Sequence, residues 1–273
     1  MIRFANAEDL PAIRELFDLC FPDDSGFNPY FFGHAFKAET TLLFMQDGML
    51  CAMLQMLPYR LCLGDEEGEA TYIYGACTHP AHRRKHLMAQ LLEASFQEDE
   101  KHGRIASLLI PQEKWLFDFY KPFGFLPLFA LKRQVALRGF SPKVDVRKLA
   151  DWHEADCLYR QKMSNTGCFI LRSEADWRAQ FELFSALGEG AFGLYQKDSL
   201  TAYAFVWREP EGLFAQELLA ADSHSAELLA QALLDKLGEQ KITYCTVSGS
   251  ELLGCCKPYH AAPVRGYINL MFN

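Results

Sequence analysis

The chain reads as a mixed α/β layer fold on three observations. Its apolar runs follow the order strand, two helices, three antiparallel strands, helix, strand, helix, strand, which layers helices on a sheet. Asp47-Gly48 separates two of those runs and is a strong hairpin signal. A strand stopped at Pro80 then leads into a helix headed by Arg83-Arg84-Lys85.

The elements follow in chain order. Asn6 to Phe17 has a cap residue and apolar positions at Leu10, Ile13, Leu16 and Phe17, so it reads as an amphipathic helix. A second helix is expected from Tyr30 to Lys37. Thr41 to Gln46 and Met49 to Leu63 read as the hairpin strands, and Gly64 to Gly68 as a polar turn before the next strand, around Tyr72. The helix after Arg83 aligns Leu87, Leu91, Leu92 and Phe96 on one side, a core stripe. Ile105 to Ile110 is a further apolar strand, Phe129 to Leu137 closes the first domain, and Gly139 to Lys143 reads as a linker.

From about Lys148 the order starts again. Helices are expected over Leu149 to Met163 and Ser173 to Leu187, then strands near Gly193 to Gln196, Leu200 to Trp207 and Leu213 to Ala220. A helix from Ser223, a strand Ile242 to Val247 and a terminal strand near Tyr267 to Phe272 complete the chain. Leu87-Met88-Ala89-Gln90-Leu91-Leu92 and Leu228-Leu229-Ala230-Gln231-Ala232-Leu233 correspond in the two halves, but His224, Ser225 and Ala226 then stand opposite Arg83, Arg84 and Lys85. The expected domains are 1–140 and 148–273, the second a copy without the basic loop.

Composition narrows the function. Half of the 273 residues are apolar, which is globular rather than disordered. A net charge of −8 argues against general nucleic-acid binding and makes the cationic run at 83–85 conspicuous. Nine scattered cysteines suit reduced thiols in a cytoplasmic protein, and no window resembles a membrane span or signal segment. Neither His79 with His82 nor Cys245, Cys255, Cys256 and His260 has zinc-ligand spacing, so no metal is expected.

The basic run builds an anion site. The first N–H groups of a helix lack internal partners, and its dipole is positive at that end. Lysine or arginine there is unfavourable for the helix itself and asks for an anionic ligand such as a diphosphate.

Arg83-Arg84-Lys85-His86-Leu87-Met88, followed by helix, strand and Tyr120-Lys121-Pro122-Phe123-Gly124-Phe125, resembles the GNAT superfamily of acetyl-CoA-dependent N-acetyltransferases. Within it, the Leu-Met-containing basic turn is similar to the tandem branch with the mycobacterial "enhanced intracellular survival" proteins, without their third domain. The resemblance implies a GNAT fold in two tandem domains and an acetyl-CoA cosubstrate. By the same resemblance the thioester arm lies along backbone groups of Cys77, Thr78 and His79, with the diphosphate on Arg83, Arg84, Lys85, His86, Leu87 and Met88. His86 stands where the family has glycine. As a helical residue it is expected to need no positive φ. Tyr120 takes the family's place for the phenol that protonates the leaving thiolate.

His79, His82 and Glu113 are candidate bases by proximity in sequence. Asp23, Asp24, Tyr30, Phe31 and Phe32 supply an acidic and aromatic wall suited to a cationic amine. The expected partner is a small-molecule or peptide amine. The competing reading is a degenerate GNAT-fold protein in which His86 closes the site, which binds CoA weakly or not at all and acts as a scaffold or regulatory module.

Overall fold

The structure, a computed structural model, describes residues 1–269 and 272. It divides into two compact units that do not follow chain order. The first comprises Met1–Leu128, Gly254–Pro263 and Phe272, and the second Phe129–Leu253 with Val264–Asn269. Against the expected 1–140 and 148–273, the first unit stops earlier and takes back a segment from near the C-terminus.

In the first unit β1 (Ile2–Phe4) precedes α1 (Leu10–Cys20) and α2 (Phe27–His34). Asn6 starts the run into α1 with a capping box shared with Asp9. The second helix begins earlier than Tyr30 because Gly26 supplies a left-handed entry at φ +85°. Strands β2 (Thr41–Gln46), β3 (Met49–Leu63) and β4 (Glu66–Thr78) form an antiparallel meander. Asp47 and Gly48, at φ +50° and +79°, make the tight turn between the first two. Helix α3 (Leu87–Lys101) crosses over to β5 (Ala106–Leu109), which pairs parallel with β4. Helix α4 (Trp115–Tyr120) leads to β6 (Leu126–Leu137). Leu87, Leu91, Leu92 and Phe96 of α3 are buried in one core with Tyr120 and Phe125, as their spacing required.

The second unit begins with β7 (Asp145–Lys148), α5 (Trp152–Met163), β8 (Cys168–Ile170) and α6 (Glu174–Leu187). Ser173 lies outside α6 as its cap, in a box with Asp176. An antiparallel meander follows, β9 (Gly190–Gln196), β10 (Ser199–Glu209) and β11 (Gly212–Ala220), then α7 (Ser223–Leu237) and β12 (Lys241–Pro258). Lys197 and Asp198, at φ +49° and +62°, turn β9 into β10 as Asp47-Gly48 turns β2 into β3. The repeat also holds at the level of register. β4 and β5 are joined in parallel at Ala70, Thr71 and Tyr72, and β11 and β12 at Leu213, Phe214 and Ala215.

Strand β12 runs well past the expected end at Val247. Its start pairs with β11 in the second unit, and Cys255 to Pro258 pair antiparallel with β5 in the first. The expected terminal strand near Tyr267 to Phe272 falls partly outside the described residues; Phe129–Gly266 and Phe169–Tyr267 are isolated bridges. Among the described residues no helix is long and apolar enough to cross a membrane.

Candidate active site

Strand β4 makes the groove. Its parallel pairing with β5 ends at Tyr72, although β4 itself continues to Thr78. Across the other edge, Met53 pairs with Cys77 and Gln55 with Tyr74, so β4 carries one extra residue and bulges. Gly75 sits in the bulge at φ +57°, where an added Cβ would lie 2.7 Å from a Phe17 ring carbon and 3.2 Å from Gln55 Nε2. Only glycine meets both demands, positive φ and no side chain. A bulge increases local twist, which turns the last residues of β4 away from β5. Gln55 is sealed beneath it, and neither end of its carboxamide has a partner among the described residues.

The His79 N–H donates to the Cys51 carbonyl at 2.9 Å and is committed to β3. By the alternation of an antiparallel ladder the polar groups of Thr78 face the open side. The Thr78 carbonyl accepts from Arg83 Nε at 3.3 Å, and Cys20 Sγ lies 3.7 Å from it. The Cys20 thiol is pushed down to about 6 by its contact with the Cys77 thiol and, against the effect of burial, by Arg83. Burial pushes the Cys77 thiol up.

The basic run is not the first turn of the helix. Pro80–His82 form a short 3-10 turn, with the Ala81 N–H donating to His79 Nδ1 at 3.2 Å. Arg83 is extended, Arg84 stands at φ +62°, His86 at φ +59°, and α3 begins at Leu87. The expectation that His86 needs no positive φ is thus overturned. Leu87 is the first residue of the run to be buried, and two left-handed residues turn the extended chain so that it enters the core there. A histidine thus holds a left-handed backbone that glycine adopts without strain.

The result is an exposed cationic loop before an uncapped helix start. Arg83, Arg84, Lys85 and His86 are exposed, and α3 has no side-chain cap. Gln90 N–H to His86 O, at 3.3 Å, is the first full helical bond, which leaves the N–H groups of Leu87, Met88 and Ala89 as orphan donors. The positive end of the helix dipole and the orphan donors thus stand directly after a run of three cations, the chemistry that suits an anion.

Tyr120 ends α4, buried, with Phe119 and Phe125 ring centroids at 5.1 and 5.7 Å. Its hydroxyl has no hydrogen-bond partner among the described residues. Burial pushes the phenol up to about 12, and the nearby Cys255 and Cys77 thiols add to the effect. It therefore stays protonated at neutral pH, beside the end of β4. Gly124, at φ +90°, closes the following turn, and Lys257 Nζ donates to the Phe123 carbonyl at 3.0 Å to hold it.

The base candidates fare less well. Glu113 Oε2 accepts from Trp115 Nε1 at 2.8 Å, His79 Nδ1 is occupied by Ala81, and His82 Nδ1 is sealed from solvent. Of the acceptor wall, Phe31 is fully buried among Phe17, Phe32 and Tyr74, and Phe32 is half-buried. Tyr30 is half-buried too, stacked on His34, and Asp24 is exposed. Asp23 accepts from Ser25 and from the Asn28 N–H at 2.8 Å, and so shapes its own loop. Sequence reasoning missed Phe272, whose ring packs on Phe31 and Tyr74 at 5.2 and 5.7 Å and whose carbonyl accepts from Tyr72. Its distance along the chain gave no signal.

The second unit lacks these features. Asp222 caps α7, its carboxylate accepting the Ser225 N–H at 2.7 Å where the first unit offers orphan donors. Beyond the paired part of β11, Glu217 is fully buried in a bidentate bond to Arg172 at 2.7 Å, with Tyr203 and Tyr267 hydroxyls at 2.8 and 2.9 Å. Protein groups fill what would be the groove, and a carboxylate occupies the helix start. Among the described residues no cluster of three His, Cys, Asp or Glu side chains could hold a metal ion.

Residues 1–128 match the protein family described as acetyltransferase (GNAT) domain. Among solved structures, the chain is similar to a GCN5-related N-acetyltransferase from Anabaena variabilis, with 13% identity, 94% of this chain and 72% of that one covered and a TM-score of 0.75. It is similar to Eis1 from Mycobacterium abscessus, with 14% identity, coverage of 94% and 73% and a TM-score of 0.65. It is also similar to Saccharomyces cerevisiae N-myristoyltransferase with bound myristoyl-CoA, with 11% identity, coverage of 97% and 84% and a TM-score of 0.60. These likenesses establish the fold. No curated protein matches the sequence.

Proposed function

We infer that this N-acetyltransferase enzyme, whose residues 1–128 carry the acetyltransferase (GNAT) domain, moves an acetyl group from acetyl-CoA to a primary amine by direct attack on the thioester. The observation that carries the reading is the uncapped start of α3, with four exposed basic or imidazole side chains from Arg83 to His86. The likeness to the tandem mycobacterial branch supports a catalytic first unit and a second unit whose own anion site is closed by Asp222.

In this reading Arg83, Arg84 and Lys85 hold the diphosphate with the N–H groups of His86, Leu87 and Met88. Each charge-assisted bond contributes roughly 1.5–3 kcal/mol, so the loop dominates affinity. The open edge of β4 at Thr78 orients the thioester arm; Cys77 faces β3 in the ladder, and His79 gives its N–H to β3 and its carbonyl to the His82 N–H at 2.8 Å.

Attack requires an unprotonated amine and a proton for the departing thiolate. An amine of lysine-like pKa is neutral only about once in 10³ molecules at pH 7, a cost of roughly 4.6 kcal/mol. A water chain to solvent removes that proton in place of His79, His82 or Glu113, which local bonds or burial hold back. Tyr120, kept protonated by its surroundings, supplies the proton to the thiolate. The acceptor, a small-molecule or peptide amine, enters from the α1–α2 side, where the half-buried Phe32 and Tyr74 rings pack on the buried Phe31.

The test is release of free CoA thiol from acetyl-CoA with a panel of primary amines. Amine-dependent release with an acetylated product in the mass spectrum supports the reading. No acetyl-CoA binding and no thiol release with any amine would favour the scaffold.

A further inference from the structure

A cleft of about 600 Å³ opens in the first unit, away from the basic loop. It is walled by the C-terminal half of α3, by the Phe123–Gly124 turn and by the end of β12, and none of Cys77 to Met88 lines it. Its charges are of both signs and are kept apart. Lys257 is held by its bond to the Phe123 carbonyl and lies 4.6 Å over the Phe96 ring. Arg104 is anchored to the fully buried Asp99 at 3.2 Å, and its sealed Nε has no partner among the described residues. Glu93 and Glu100 project from α3, exposed, and neither forms an ion pair among the described residues.

Opposite charges on one small surface normally close on each other. Here the framework fixes the cations separately, which leaves complementary charges facing a common space floored by aromatic rings. A ligand that bears both charges completes the set, and the volume suits a small metabolite.

We propose that this cleft binds a free α-amino acid with an apolar side chain as its zwitterion. The carboxylate meets Lys257 and Arg104, the ammonium meets Glu93 and Glu100, and the side chain packs on Phe96 and Phe123. Charge-assisted hydrogen bonds at both ends supply specificity for the zwitterion over either single ion. The bound amino acid is a second ligand and not the acetyl acceptor, because neither β4, Tyr120 nor the basic loop lines the cleft.

Calorimetry on the full chain tests this with L-phenylalanine and L-leucine, beside 3-phenylpropanoate, which lacks the ammonium, and 2-phenylethylamine, which lacks the carboxylate. The amino acids should bind, and each single-charge analogue should bind roughly tenfold more weakly or worse. Glu93→Gln with Glu100→Gln should weaken L-phenylalanine by roughly tenfold and leave 3-phenylpropanoate unchanged, with the thermal melt confirming an intact fold. Saturating acetyl-CoA should leave amino-acid binding in place. The proposal is overturned by no heat from either amino acid, by analogues that bind as well as the zwitterion, by a double variant that binds normally, or by displacement with acetyl-CoA. The analogue series alone decides the matter should the variant melt early.

Discussion

His86→Gly separates conformation from chemistry at the basic loop. His86 holds φ +59° and ψ +23° at the head of α3 and makes no capping bond with its side chain. A left-handed residue with a Cβ costs roughly 1–2 kcal/mol, and glycine removes that cost while making the unfolded chain more favourable by about 0.4–1 kcal/mol. The balance is a gain of about 0.5–1 kcal/mol, with no cap lost, which raises Tm by about 1–4 °C in a chain of this size. Removing the Cβ also lets the N–H groups of residues 86–88 approach a diphosphate more closely. One improved charge-assisted bond tightens acetyl-CoA by roughly tenfold or more. Arg84→Gly is the internal control, since Arg84 has the same left-handed backbone, φ +62°, but carries a charge. It should gain a similar stability and lose affinity. Calorimetry with acetyl-CoA and thermal melts of both variants are the assays. A His86→Gly variant that is more stable but binds coenzyme tenfold more weakly would refute the reasoning, because the imidazole would then be a ligand.

Three further outcomes are expected. Tyr120→Phe should lower kcat by roughly 10²-fold or more with acetyl-CoA affinity nearly unchanged, measured by steady-state turnover and calorimetry; equal losses in both would remove its role as proton donor. Arg172→Met should destabilise the second unit by about 3–5 kcal/mol in urea unfolding, because Glu217 is left as an unpaired buried charge, and adding Glu217→Gln should recover part of the loss. Alkaline unfolding tests the phenol: Tyr120 holds its proton to about 12 while an unfolded tyrosine ionises near 10, so its stabilising share is complete below pH 10 and lost as pH rises through 12. That share is on the order of 3 kcal/mol, and Tyr120→Phe should flatten the fall.

Much of the architecture was legible because periodicity reports burial directly. Leu87, Leu91, Leu92 and Phe96 declared the core face of α3, and Asp47-Gly48 declared its turn. The basic loop was legible as a run of exposed cations and not as conformation. Three cations before an apolar stripe read as a helix start, whereas the 3-10 turn after Pro80 delays α3 to Leu87 and puts Arg84 and His86 in left-handed backbone. No propensity signals that state for histidine. Strand β12 and Phe272 were misplaced for a different reason. Local pattern carries no record of which distant strand a segment joins, so the return of Cys255 to Pro258 to β5 was invisible. The same limit hid Arg172 and Glu217, which are 45 residues apart in sequence and bonded in the core.

The central claim is that a diphosphate sits at the uncapped start of α3. Acetyl-CoA titrated calorimetrically into the wild-type chain and into an Arg83→Ala, Arg84→Ala variant measures it directly. Loss of two charge-assisted contacts should weaken binding by at least roughly 10²-fold while turnover at saturating coenzyme stays close to wild type. Equal affinity in the two proteins would contradict the account.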